Sequence, residues 1–151
     1  MVMPPVEIRD MEPAELSAVA ILWRDVYRHT YPDVEVSADP EYWEGGLKSK
    51  LEESCRLVVA EMEDRLVGMM VLNGPYLDQL YIHPRYHGKR VGTRMLKMAL
   101  SEYPDYLHLH TLAQNEKAIG FFEYHGFRVT AQGIAPDEQV PNVHMEFGAA
   151  T

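Results

Sequence analysis

Five basic side chains, Arg85, Lys89, Arg90, Arg94 and Lys97, fall in a stretch from Gln79 to Ser101 that contains no acidic residue. The whole chain carries 14 Lys and Arg against 23 Asp and Glu, a formal charge of −9, so this stretch is a local reversal of sign. It is centred on a glycine-punctuated turn, Tyr86-His87-Gly88-Lys89-Arg90-Val91-Gly92-Thr93. Gly88 and Gly92 let backbone N–H groups approach a ligand with no Cβ in the way. A helix starting at Val91 adds N–H donors without intrahelical partners and a partial positive charge. Together these features read as a cradle for a phosphate or pyrophosphate. The sequence has no G-x-x-x-x-G-K-[ST], which argues against a P-loop nucleotide site. No G-x-G-x-x-G follows the first strand with an acidic residue about 20 positions on, so a dinucleotide Rossmann site is disfavoured.

Other chemistry is weaker in the sequence. Cys55, the single cysteine, excludes an intrachain disulfide framework and a cysteine-rich zinc site. It precedes an apolar run with no histidine-linked motif around it and reads as a small buried residue. There is no G-x-S-x-G nucleophile elbow. His108 and His110 alternate on one strand face, but with no third ligand nearby they read as a polar sheet face rather than a metal pair, and no metal is expected.

The turn needs a strand before it and a helix after it, and the pattern supplies both. Tyr76 to His83 is an apolar, aromatic run ended by Pro84. Val91, Met95, Met98 and Ala99 fall on one helical face over 91–100. Upstream, Val6 to Asp10 is a short strand, and a helix from Pro13 carries Leu16, Val19, Ala20, Trp23 and Tyr27 at helical spacing until Pro32. Asp39-Pro40 opens a second helix striped by Trp43, Leu47 and Leu51 and weakened by Gly45-Gly46. Arg56 to Met62 and Leu66 to Leu72 form a hairpin around Glu63-Asp64-Arg65. Tyr106 to Leu112 is a strand. Asn115 to His125 is a helix with Asn115 as N-cap and Gly126 beyond its end, and Phe127 to Thr130 and Val143 to Phe147 are closing strands. This order implies a mixed α/β (α+β) domain, a mixed sheet with helices on both faces.

At 151 residues the chain is the size of one domain, and residues 1–151 are expected to form a single one. Hydrophobic residues at 46% and charged residues at 25% are those of a soluble globular protein. The acidic balance disfavours nucleic acid and anionic membrane surfaces as partners. No apolar run approaches a membrane span, no secretory leader is visible, and the lone cysteine suits a reducing, cytoplasmic setting.

Two segments, in order, resemble the GNAT superfamily of acetyl-CoA-dependent N-acetyltransferases. The first runs from Leu80-Tyr81-Ile82-His83-Pro84 into His87-Gly88-Lys89-Arg90-Val91-Gly92-Thr93 and is similar to the family's strand and its Q/R-x-x-G-x-G/A pyrophosphate loop. The second, Asn115 to Phe127, is similar to its N-x-x-A-x-x-F-Y-x-x-x-G-F helix. The two cover about a third of the chain. His87 stands where the family has Gln or Arg. Arg90 replaces the loop's middle glycine, and a side chain there is expected to keep its φ negative. Phe122 stands where the family's tyrosine, its frequent general acid, would be.

The resemblance implies the GNAT fold, with a mostly antiparallel mixed sheet, and acetyl-CoA as cosubstrate. It also implies direct attack by a primary amine of a small molecule or peptide, without an acyl-enzyme. It places Leu80, Tyr81 and Ile82, residues 87–93, Asn115, Ala118, Phe122 and Tyr124 around the coenzyme, with a backbone N–H near Ile82 on the thioester carbonyl. Tyr124 is the candidate to replace the missing tyrosine as acid, although on an ideal helix it lies about 200° round from Phe122. Asp78 heads the candidates for the proton acceptor, with Glu123, His110 and a water chain behind it. His29, Tyr31, Asp33, Tyr42 and Trp43, with the stretch 135–141, are expected to build the acceptor pocket. Trp43 and Tyr27 equally suit the core. The acidic balance favours a cationic amine such as a polyamine, an aminoglycoside or a lysine. A homodimer is plausible from the resemblance alone. The alternative is a CoA-binding sensor or regulatory module with little catalysis, which Phe122 keeps open.

Overall fold

Alternation along the strands divides the core into two layers. In the computed structural model, which describes residues 4–149, Val58, Ala60 and Met62 of one strand point to one side while Leu57 and Val59 point to the other. The elements are β1 (Val6–Asp10), a 3-10 turn (Pro13–Glu15), α1 (Leu16–Thr30), α2 (Pro40–Glu52), β2 (Arg56–Met62), β3 (Arg65–Asn73), β4 (Tyr76–Ile82), a second 3-10 turn (Pro84–Tyr86), α3 (Val91–Glu102), β5 (Tyr106–Leu112), α4 (Glu116–Tyr124), β6 (Arg128–Ile134) and β7 (Pro141–Gly148). The seven strands form one sheet in the order β1-β2-β3-β4-β5-β7-β6. Every neighbouring pair is antiparallel except β4 and β5. This is the mixed, mostly antiparallel sheet expected from the sequence.

Helices α1 and α2 cover one face, burying Val19, Ala20, Val26, Trp43 and Leu47 against Val59, Met69 and Val71. Helices α3 and α4 cover the other, with Val91, Met95, Leu96 and Phe122 against Met70, Leu107, Leu109 and Met145. Each fully buried Leu or Met of this kind contributes about 1.5–3 kcal/mol. Gly46 is the reason α2 tolerates its glycine pair. A Cβ there would meet the Trp23 ring at 3.1 Å, so glycine permits the close approach of α1 and α2.

The structure revises three expectations. The chain turns as a 3-10 helix at Pro13 and becomes α-helical only at Leu16. The strand after Phe127 continues to Ile134 rather than stopping at Thr130, because β7 starts at Pro141 and pairs with it to the end. Arg90 adopts φ +65°, a left-handed residue where a negative φ was expected, since it is the hinge on which the chain swings into α3.

Candidate active site

The site begins with a fault in the sheet. On β4, Leu77 pairs with Leu72 and Gln79 with Val71, so Asp78 is the extra residue of a β-bulge. A bulge bends its strand and increases local twist. Directly after it β4 leaves β5, for only Tyr76 with His108 and Leu77 with Leu109 remain in parallel register. Residues 78–82 and the end of β5 therefore diverge, and a cleft of about 1150 Å³ opens between them. Leu80, Tyr81, Asn115, Ala118 and Phe122 line it. An unpaired strand edge of this kind can receive an extended polyamide as an additional strand.

Beyond Ile82 the strand that walls the cleft runs on into the basic loop, whose residues do not themselves line the cleft. Gly88 has φ +77° and Arg90 φ +65°. Alternating left-handed residues turn successive N–H groups to one side, the geometry of an anion nest. The N-terminus of α3 has no side-chain cap. By contrast Asp39 caps α2 by accepting from Glu41 N at 3.0 Å, and Asn115 caps α4 by accepting from Ala118 N at 3.1 Å. The first amides of α3 are thus left available to an external anion. Among the described residues Arg85, Lys89 and Arg90 enter no salt bridge.

The His87 ring donates from Nε2 to the Ile82 carbonyl at 2.8 Å, and its Nδ1 accepts from Lys117 Nζ at 3.1 Å. Lys117, on the first turn of α4, is therefore a further cation beside the loop. The sequence marks it only as one residue of the helix motif. Two residues turn elsewhere. Arg94 donates to the Val6 carbonyl at 2.9 Å, tying α3 to β1, and Thr93 Oγ1 lies 3.3 Å from His125 Nε2. His87 thus occupies the Ile82 carbonyl and leaves the N–H groups of this strand unaffected. Val91 is buried and supports the turn from below.

The cleft itself is aromatic and acidic. Its walls include Glu35, Glu53, Asp78, Asp137 and Glu138, against Lys50 as the one lysine or arginine among the lining residues. Lys50 Nζ contacts Asp78 Oδ2 at 2.5 Å, so the bulged carboxylate is held from across the cleft by α2. Tyr27 donates to Glu138 Oε2 at 2.6 Å, joining α1 to the β6–β7 loop. Burial, and then the neighbouring Glu138 carboxylate, push the Tyr27 phenol well above its ordinary pKa. Tyr31 is buried, and its Oη accepts from Asn115 Nδ2 at 2.8 Å.

The expected acceptor residues separate. Tyr31, Tyr42 and Trp43 line the cleft; Tyr42 sits at the rim, 62% exposed, while Trp43 is also core and donates to the Ser37 carbonyl at 2.8 Å. His29 is exposed and, with Asp33, borders a separate shallow depression. Of the catalytic candidates, Asp78 and His110 line the cleft, with His110 Nδ1 2.9 Å from the Tyr76 hydroxyl. Glu123 is exposed and does not line it. Tyr124 is not brought to the cleft either. It is 86% exposed, because two helical residues carry it to the side of α4 opposite the buried Phe122. Glu138 was expected at the pocket only as one residue of the stretch 135–141, and Lys50 was not singled out from the sequence, since nothing local to it points to the cleft. Among the described residues no group of three or more His, Cys, Asp or Glu is placed to hold a metal, and no helix is long and apolar enough to cross a membrane.

Comparison with known proteins agrees with this geometry. The model of the Acetyltransferase (GNAT) family matches residues 17–127. The chain is 36% identical over 91 residues to peptidyl-lysine N-acetyltransferase YjaB of Escherichia coli K12, covering 60% of this chain and 61% of that protein. It is 33% identical over 87 residues to the protein of the same name from Salmonella typhimurium, covering 58% and 59%. The match thus spans about three fifths of the length of these relatives. Among solved structures, apo YjaB from Escherichia coli aligns with a TM-score of 0.74 and 29% identity over 99% of this chain and 100% of that one. The PaiA N-acetyltransferase from Thermoplasma acidophilum in complex with coenzyme A aligns with a TM-score of 0.74 over 96% and 99%. At 20% identity that second likeness speaks for the fold alone.

Proposed function

Because the chain belongs to the acetyltransferase (GNAT) family, we propose that it transfers an acetyl group from acetyl-CoA to the primary amine of a cationic acceptor, a peptidyl lysine foremost, by direct attack. The observation that carries this reading is the cleft where β4 parts from β5, lined by carboxylates, together with the loop of unpaired cations and free helix amides into which β4 runs.

The residues present fit coenzyme A. Its diphosphate matches the uncapped start of α3, the left-handed Gly88 and Arg90, and the ammonium of Lys117. Its pantetheine amides match the open edge of residues 78–82. When bound, acetyl-CoA supplies the activated acetyl group. The chain's part is to orient the two reactants, exclude water and move protons. A β4 backbone N–H near Ile82 polarises the thioester carbonyl. Asp78, raised into the cleft by its bulge and steadied by Lys50, receives the amine's proton directly or through water. The carboxylates around it attract a charged lysine and hold its side chain at the acetyl group.

Thiol release from acetyl-CoA, followed with lysine peptides, polyamines, aminoglycosides and free amino acids, tests the proposal. A lysine peptide that gives sustained release is the expected result. Binding of acetyl-CoA with no turnover on any amine favours the second reading, a CoA-responsive regulatory module. The aromatic carbon of Phe122, where the family carries a hydroxyl, is the observation that speaks for it.

A further inference from the structure

Resting on the acetyltransferase reading, we infer that Tyr31, at the end of α1, is the proton donor to the departing thiolate, doing from the opposite wall of the cleft what Phe122 cannot. The inference starts from Asn115. Its Oδ1 accepts from the Ala118 amide at 3.1 Å, which fixes the orientation of the side-chain amide. The NH₂ group must then face Tyr31, and it donates to the phenol oxygen at 2.8 Å. Tyr31 is an acceptor in that contact, so its own proton points elsewhere. Of the groups that bear on this oxygen only the Thr111 hydroxyl could also accept its proton, and among the described residues no bond of hydrogen-bond geometry joins the two; the side chain is only 3% exposed and lines the cleft. A buried hydroxyl whose proton has no partner within the protein is suited to give it to a ligand.

Three groups offset, in part, the burial and the Glu138 carboxylate that disfavour the phenolate left behind. Besides Asn115, the Thr111 hydroxyl and the Leu112 backbone amide bear on the Tyr31 oxygen. Burial raises the phenol's pKa and keeps it protonated near neutrality, while these donors act in the other direction by favouring the anion. Position agrees as well. Asn115, Ala118 and Phe122 follow one another along the cleft face of α4. Helical side chains lean toward the N-terminus, so the Phe122 ring inclines toward the turn where the Tyr31 hydroxyl lies. A hydroxyl supplied from either wall serves the same region.

The step balances as follows. The amine nitrogen forms a bond to the acetyl carbon, and the C–S bond breaks with its electron pair on sulfur. The Tyr31 proton passes to that sulfur, giving free CoA thiol. The proton lost by the amine goes to Asp78 or water, and solvent reprotonates the phenolate.

Tyr31→Phe keeps the ring and removes only the hydroxyl. The expected result is a fall in kcat of about 100-fold, within the usual range for loss of a general acid, with KM for acetyl-CoA changed less than about threefold. Adding Phe122→Tyr to that variant is expected to recover at least about tenfold of the lost kcat, because the second wall then carries a hydroxyl. Folding of each variant is checked by thermal melting. Wild-type kcat in Tyr31→Phe overturns the assignment. So does a fall that Phe122→Tyr does not restore, or one matched by loss of acetyl-CoA affinity, since either makes Tyr31 a packing residue. A wild-type protein that binds acetyl-CoA but gives no amine-dependent thiol release sinks the acetyltransferase reading itself, and is distinguished by failing before any variant is compared.

Discussion

The basic loop that follows β4 and the acidic wall of the β4–β5 cleft, the two ends of the proposed site, are built by opposite means. At the basic end the groups are mostly local: a left-handed glycine, a left-handed arginine and an uncapped helix within residues 88–93, joined from outside by Lys117. Their cations enter no salt bridge among the described residues. At the acidic end the groups come from α1, α2, β4 and the β6–β7 loop, and the two central carboxylates are already engaged, Glu138 by Tyr27 and Asp78 by Lys50. The basic end is thus a surface waiting for charge, whereas the acidic end is a wired wall that orients what enters. A pyrophosphate is the same in every reaction of the family, so backbone atoms suffice to hold it. An acceptor must be chosen, and choice needs side chains.

Gly92→Glu tests the basic end with the largest expected effect. A Cβ at this position meets Ile82 Cγ1 at 3.5 Å and Phe121 Cζ at 3.6 Å, ordinary contacts that the fold accommodates. The carboxylate, however, enters the anion cradle, and like-charge placement costs several kcal/mol, so acetyl-CoA affinity should fall by about 100-fold or more in calorimetry. Unchanged affinity would move the diphosphate away from α3 and dissolve the contrast between the two ends.

Glu138→Gln addresses the acidic end. It keeps the shape of the side chain and an acceptor for Tyr27 while removing a charge, so KM for a lysine peptide should rise by about tenfold, as for loss of a charged hydrogen bond. KM for acetyl-CoA should not move. Equal changes in both constants would show that the ends are not separate.

Arg90→Gly sharpens the comparison by dividing backbone from side chain. Glycine relieves a left-handed conformation that costs an ordinary residue roughly 1–2 kcal/mol, so the melting temperature should rise. Acetyl-CoA affinity should nevertheless drop by about two- to fivefold, more at low salt than at high, as befits one exposed charge. A variant that binds as well as the parent would assign the grip to backbone amides alone.

The smallest effect lies away from both ends and calibrates the rest. Glu15 forms a pair with Arg9 at 2.8 Å, and the hydrogen bond from that guanidinium is the main cause holding its carboxyl down to about 2. A folded pKa below the unfolded one contributes stability above the unfolded value, near 4.5, which is lost as pH falls toward about 2. Thermal melts between pH 5 and pH 2 should therefore show a shallower acid decline in Glu15→Gln. An identical decline would remove this pair from the account of acid stability.

Much of this was legible in one dimension, and the reasons are local. Hydrophobic periodicity located α1, α2 and α3, the flanking Asn115 and Gly126 located α4, the Asp39 and Asn115 caps were readable as Asx residues, and strand β5 was placed at Tyr106–Leu112. The basic loop was readable because its glycines, its cations and the helix it opens are consecutive. The outer hairpin was less so. β6 is exposed along its length and its extent follows from pairing with β7, which alternation within β6 does not reveal. The acceptor wall was read as a region rather than as a mechanism. Tyr31 was expected there, but its bond to Asn115 joins residues 84 apart, and that of Tyr27 to Glu138 joins residues 111 apart.

By itself, then, the order of residues determined most of the elements and the sign of the charge beside α3, from which the phosphate cradle is proposed, all consequences of interactions within a few positions along the chain. The tertiary structure alone decided three things: that Asp78 is the bulged residue at which β4 leaves β5, that Tyr124 faces solvent, and that Tyr31 lines the cleft with its oxygen bonded to Asn115. The physical reason is that register, burial and hydrogen-bond partners are set by which distant segments share a surface, and that sharing is a property of the packed chain.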